Sequence, residues 1–151
     1  MEPEILNRSE STVLGVTARI NPSQADYKSI WEQQFMPRHA EIVERAMDKS
    51  YYGVYYGTDQ PGMVDFIAGM AVRPGREAPE GLTQRHVPAG LYARFLCKMS
   101  AIGPTWGAIY SQWLPSSEWA EDETRPALEH YPPEAMGPES TVEIFVALKR
   151  K

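Results

Sequence analysis

The sequence predicts an α+β domain of two tandem, duplicated β-α-β-β units related by pseudo-twofold symmetry, their antiparallel sheets forming a concave groove with helices on the opposite side. Three observations predict it. The chain has 151 residues, the usual size of one domain and enough to bury a core without disulfides or metal. Short patterns recur in the same order: Gly15-Val16-Thr17-Ala18-Arg19-Ile20 returns as Gly90-Leu91-Tyr92-Ala93-Arg94-Phe95, Gln34-Phe35-Met36-Pro37 as Gln112-Trp113-Leu114-Pro115, and Met70-Ala71-Val72 as Val146-Ala147-Leu148. Hydropathy periods give both halves one element order, so residues 1–151 read as a single domain with repeats over about 12–73 and 90–148 and a connector over 74–89.

Residues 12–20 are rich in β-branched and apolar types and form the first strand. Asn21-Pro22-Ser23 follows, with Ser23 as N-cap and Asp26 three residues on, close to a capping box. Tyr27, Ile30, Trp31 and Phe35 recur at helical spacing until Pro37 breaks or kinks the helix, ahead of a piece carrying Ile42, Val43, Ala46 and Met47. Residues 51–58 and 63–73 make a hairpin around Asp59-Gln60-Pro61-Gly62. The connector is punctuated by Pro74, Gly75, Pro79, Gly81 and Pro88 and has room for a short strand near Thr83–Val87. Residues 90–98 are the next strand, Pro104 opens a helix reaching about Leu114, and residues 126–131 and 141–149 are two more strands. The acidic, polar stretch 115–125 reads as a solvated loop with one helical turn.

A strand alternates its side chains, so the last strand offers Val142, Ile144, Val146 and Leu148 to the helices and leaves Glu143, Phe145 and Ala147 on the free face. In the strand before it, Glu129 travels with Ala127 and Tyr131. Free faces that mix aromatics with a few acids make a ligand groove. Its candidate members are Glu129, Tyr131, Glu143, Phe145, Tyr92, Ile67 and, at the first turn of the second helix, Trp106. Tyr51, Tyr52, Tyr55 and Tyr56 occupy both faces of their strand. By correspondence with Glu129 and Tyr131, Tyr52 and Tyr56 are the better pair. The competing readings are strand-edge charges facing water for the acids, cross-strand packing for Tyr131 and Phe145, and core for Tyr27, Trp31, Phe35 and Trp113.

Composition excludes several classes. The balance is 15 basic against 20 acidic residues, with no basic block longer than Lys149-Arg150-Lys151, which argues against direct nucleic-acid binding. The start Met1-Glu2-Pro3-Glu4 leads into no apolar signal region, and no run approaches the roughly 18 apolar residues of a membrane span, so a cytoplasmic protein is expected. The single Cys97 packs as a small hydrophobe. His39, His86 and His130 lack metal-ligand spacing, and no P-loop, dinucleotide fingerprint or nucleophile elbow is present, so no metal or cofactor is expected.

Gly90-Leu91-Tyr92-Ala93, Gly103-Pro104 with Trp106, Trp113-Leu114-Pro115, Arg125-Pro126-Ala127-Leu128-Glu129-His130-Tyr131 and Val142-Glu143-Ile144-Phe145-Val146 resemble, in order, the pattern of the GyrI-like or effector-binding domain family. That family includes ligand-sensing domains of multidrug-responsive transcription activators and freestanding gyrase-inhibitor-like proteins. The resemblance spans most of the chain from about residue 11, and the E-x-Y of Glu129 and Tyr131 is its most telling motif. It implies a groove for lipophilic, often cationic molecules, with Glu129 inside it and a second pocket acid at Glu143. The duplicated unit leaves no room for a helix-turn-helix, so a sequestering or sensing role is expected, with any protein partner unspecified. The rival is a hydrolase that opens strained cyclopropane rings of alkylating natural products, as some GyrI-like proteins do. Glu129 and Glu143 would be its general bases beside Tyr131, Trp106 and Tyr92. An inhibitor of DNA gyrase is implied by the family name alone.

Overall fold

A computed structural model describes residues 1–151. Strands β1 (Glu4–Arg8), β2 (Ser11–Ile20), β3 (Tyr51–Gly57), β4 (Val64–Val72), β5 (Thr83–Val87), β6 (Gly90–Lys98), β7 (Trp119–Glu121), β8 (Ala127–Tyr131) and β9 (Thr141–Arg150) pair antiparallel. Their order is β1-β6-β9-β8-β3-β4-β2-β5, with β7 attached to the end of β9. The order is symmetric about the β8–β3 junction, as pseudo-twofold symmetry requires, and each half's leading strand, β1 or β5, adds to the edge of the other half. Two strands were not legible in the pattern. β1 lies in an acidic N-terminal stretch, and β7 replaces part of the expected loop over 115–125 because Trp119 packs there, under the Arg150 guanidinium at 4.7 Å.

Strand pairing fixes which residues correspond. β1 and β5 run Glu4–Arg8 and Thr83–Val87, Arg8 faces Gly90, and Val87 faces Ser11, so Gly90 answers Ser11 rather than Gly15. At the centre Gly53 faces Glu129, whence Tyr51 answers Ala127 and Tyr55 answers Tyr131. The recurring G-x-x-A-R pattern is therefore not a structural correspondence. The match of Met70-Ala71-Val72 to Val146-Ala147-Leu148 fits the observed register.

Two helical segments cover one face. The first runs through α1 (Tyr27–Ser29), a π-helical turn Ile30–Phe35, a 3-10 turn Met36–Arg38 and α2 (His39–Val43). The second runs through a 3-10 turn Met99–Ala101, α3 (Ile102–Ala108), a π-helical turn Ile109–Trp113 and α4 (Leu114–Ser116). Asp26, not Ser23, caps the first, accepting from the Ser29 N–H at 3.0 Å. Pro37 and Pro115 each follow a wide π turn, where a residue without an N–H is tolerated. Phe35 and Ile42 pack with Leu14, Phe66 and Met70 of the sheet, and Ile109 and Leu114 with Ala93, Phe95 and Ile144.

The opposite face is not a groove. Ser9-Glu10 joins β1 to β2, and Pro88-Ala89 joins β5 to β6, although each pair stands at far ends of the strand order. Two linking residues reach about 10 Å, so the sheet must curl until its edges approach. The curled face fills with Val13, Tyr52, Tyr56, Ile67, Tyr92 and Phe145 in one buried cluster.

Candidate functional site

A cavity of ≈ 1680 Å³ lies between the two helical segments, over β3 and β8. It is larger than the roughly 300–1,000 Å³ of an ordinary small-molecule site. The groove is thus on the helix-bearing face, not behind it. The period of two builds its floor from Tyr51 and Tyr55 of β3 with Glu129 and Tyr131 of β8. Helical spacing builds its walls, Tyr27 with Trp31 on one side and Trp106 with Tyr110 on the other. The Trp31 ring meets Tyr131 edge-on with centroids 5.9 Å apart, and Trp106 meets Tyr55 at 5.7 Å.

Glu129 is the centre of this floor and is only 3 % exposed. Its carboxylate accepts three hydrogen bonds: from Tyr55 Oη at 2.9 Å and Trp106 Nε1 at 2.7 Å on Oε2, and from Tyr131 Oη at 2.6 Å on Oε1. All three donors are neutral, and no cation contributes to its electrostatics. Burial raises its pKa, and the bonds from Tyr131, Trp106 and Tyr55 oppose that rise without cancelling it. The same burial, with the nearby carboxylate, holds the Tyr55 and Tyr131 hydroxyls well above the ordinary tyrosine value, so both stay donors. Gly53, across the strand pair, makes room: a Cβ there would lie 2.9 Å from the Phe66 ring and 3.1 Å from Glu129 Oε1. Such a carboxylate is hydrogen-bonded yet short of one positive charge.

Of the residues singled out in the sequence, the structure brings Glu129, Tyr131 and Trp106 together in the cavity. Tyr52, Tyr56, Ile67, Tyr92 and Phe145 stand on the opposite face, in the curled core. Tyr56 Oη donates to the His86 carbonyl at 2.8 Å and Tyr92 Oη to the Pro126 carbonyl at 3.1 Å. Glu143 is on that face as well. Across β8–β9, Glu129 faces Ile144 while His130 faces Glu143, so the two acids point to opposite sides. Glu143 is bonded to Arg94 and His130, and His130 Nε2 lies 2.8 Å from Ser50 Oγ. Burial pushes the Glu143 pKa up, but His130 and Arg94 outweigh it and hold the carboxyl below its ordinary value.

Of the two tyrosine pairs left open by the sequence it is Tyr51 and Tyr55 that line the cavity, and Tyr27 and Trp31, expected in the core, are half-buried and line it too, as do Tyr110 and Glu121, which are not among the candidates. The available signal was the i, i+4 aromatic pair in each helix. Neither ligand-grade metal clusters nor a helix long and apolar enough to cross a membrane is present.

A family model described as the GyrI-like small molecule binding domain matches residues 1–149. The transcriptional regulator BrlR of Pseudomonas aeruginosa is 29% identical over 154 residues, covering 98% of this chain and 56% of the regulator, so the chain spans little more than half of that relative. The structure of SAV2435 bound to tetraphenylphosphonium superposes with a TM-score of 0.81 at 11% identity, over 99% of this chain and 94% of that one. EcmrR in a complex with DNA superposes with a TM-score of 0.71 at 13% identity, over 99% of this chain and 58% of that one. At such identities the two structures speak for the fold.

Proposed function

The chain belongs to the GyrI-like small-molecule-binding domain family, and from that premise we propose that its cavity takes up lipophilic, aromatic cations, with Glu129 as their counter-charge, in a sequestering or sensing role. The carrying observation is the buried Glu129 carboxylate, held by three neutral donors with no cation beside it. A cationic ligand supplies what the site lacks, and the surrounding ring faces add roughly 0.5–2 kcal/mol each through cation–π attraction. SAV2435, which shares the fold, was solved with tetraphenylphosphonium, a ligand of this chemistry. A sensing role fits relatives of which this chain matches only part: BrlR is a transcriptional regulator and EcmrR was solved in a complex with DNA.

The hydrolytic reading has one observation in its favour, the raised pKa of Glu129, which suits a general base. Against it, three of the carboxylate's roughly four acceptor positions are already occupied, leaving little capacity to orient and deprotonate a water. Glu143, the expected second acid, lies across the sheet and cannot assist. Binding is therefore the better-supported function.

The test is a titration of tetraphenylphosphonium against the fluorescence of the cavity tryptophans, run beside neutral triphenylphosphine oxide. Glu129→Gln should weaken the cation about 10- to 100-fold, the loss of one charge-assisted contact, and change the neutral compound less than about 3-fold. Equal affinities for wild type and variant would remove Glu129 from the role. Accumulation of a ring-opened product from a cyclopropane substrate, lost in the variant, would favour hydrolysis instead.

A further inference from the structure

We propose that Glu121 is a second cation subsite in the same cavity, so that the preferred ligands carry two positive groups joined by an apolar spacer. This rests on the reading of Glu129 as the first subsite. Trp106 and Tyr110 are one helical turn apart, and their rings stack at 6.0 Å with an interplanar angle of 11°. Trp106 Nε1 donates to Glu129, and Tyr110 Oη donates to Glu121 Oε2 at 2.7 Å. Two carboxylates thus stand at the two ends of one aromatic wall. Both line the cavity.

Glu121 resembles Glu129 in what it lacks. It makes no ion pair, its one side-chain hydrogen bond is from the neutral Tyr110 hydroxyl, and burial raises its pKa, with neighbouring Glu123 adding to the rise. The nearby cavity cation cannot satisfy it. Arg125 spends its guanidinium on the Leu91 and Leu148 carbonyls, at 3.1 and 2.9 Å, and on Asp122. Lys28, the other basic residue lining the cavity, projects from the first helical segment, beside Tyr27 on the opposite wall. Strand pairing positions Glu121, since β7 is fixed to β9 with Glu121 opposite Leu148.

The first helical segment has no counterpart. Tyr27 and Trp31 repeat the i, i+4 aromatic pair, but the Tyr27 hydroxyl donates to the Pro22 carbonyl instead of a carboxylate. The second subsite therefore belongs to one half of a symmetric fold, at the place where β7 is inserted. The size of the cavity is consistent with an extended ligand. Tyr110, 43% exposed, offers its ring to whatever spans the two acids.

The test compares bis(triphenylphosphonium) alkanes with spacers of about four to ten methylenes against triphenylphosphonium ions that carry a neutral triphenylmethyl group at the far end of the same spacer, so that the apolar area is matched and only the second charge differs. Two linked contacts reinforce each other most when the spacer matches the span. Wild type should favour the bis-cation by about 10-fold or more at one spacer length and much less at the extremes. Glu121→Gln should abolish that preference and leave tetraphenylphosphonium within about 2-fold, whereas Glu129→Gln should weaken mono- and bis-cations alike. Glu121→Lys should invert the preference. A wild type without spacer dependence, or a Glu121→Gln variant that keeps it, would overturn the subsite while leaving Glu129 in place. Loss of all cation binding in wild type would overturn both.

Discussion

Glu129 and Glu143 stand on adjacent strands, β8 and β9, and meet opposite fates on the two sides of one sheet. On the helix-bearing side Glu129 has three neutral donors and no cation. On the curled side Glu143 is joined to Arg94 and His130, and Arg94 reaches on to Glu4 at 3.1 Å. Glu129 is buried and Glu143 half-buried, yet burial pushes both pKa values up and only one ends raised. Compensation separates them: the network around Glu143 ties β1, β6, β9 and β8 together through two basic partners, while the carboxylate of Glu129 has no opposite charge beside it.

The largest effect should come from Phe145→Ala, which removes a buried ring from the curled core and should cost about 3–5 kcal/mol in urea unfolding. The variant, where folded, should keep tetraphenylphosphonium affinity within about 2-fold, because no cavity contact is touched. A parallel loss of affinity would mean that the curled face takes part in binding after all.

Next in size is the pH response of stability, where the two acids should act with opposite sign. The folded pKa of Glu129 is raised, so the folded protein holds a proton that the unfolded chain releases. Its contribution is most favourable below the ordinary carboxylate range and falls as pH rises through the folded value. Glu129→Gln should therefore be more stable than wild type at pH 7, by an amount on the order of 1 kcal/mol, with the advantage vanishing near pH 4. The folded pKa of Glu143 is lowered, so its contribution is present above the ordinary value and lost as pH falls through the folded one. Glu143→Gln should be less stable at pH 7 by about 1 kcal/mol or less, since the Arg94 partner is 31% exposed and the pair is partly screened. Parallel pH curves for the two variants would show that the acids do not differ as described.

Much of the fold was legible. β-branched and apolar runs mark β2, β3, β4, β6, β8 and β9, the connector's short strand is β5, and the Pro61-Gly62 turn between β3 and β4 closes with Gly62 at φ 77° and the Met63 N–H bonded to the Gln60 carbonyl at 3.1 Å. The E-x-Y resemblance pointed to Glu129 and Tyr131, which do meet. The face differs from the one expected. Matching Tyr56 to Tyr131 sets the halves one residue out of register, which exchanges Tyr51 and Tyr55 for Tyr52 and Tyr56 and carries every side chain across the sheet.

Strand and helix periods and turn residues are local properties of the chain, so seven of the nine strands and both helical segments could be read in order from the residues, whereas the acid at the centre came through the E-x-Y resemblance. The sequence also determined which residues share a strand face. Which of the two faces becomes a cavity is settled by long-range closure of the sheet. That choice depends on two short links, Ser9-Glu10 and Pro88-Ala89, which tie opposite ends of the sheet together. The resulting curl brings one face onto itself and lets it bury its aromatics without helices. On the other face, curvature spreads the two helical segments apart over β3 and β8, so the central residues there, Glu129 among them, line a space between the helices rather than a core beneath them.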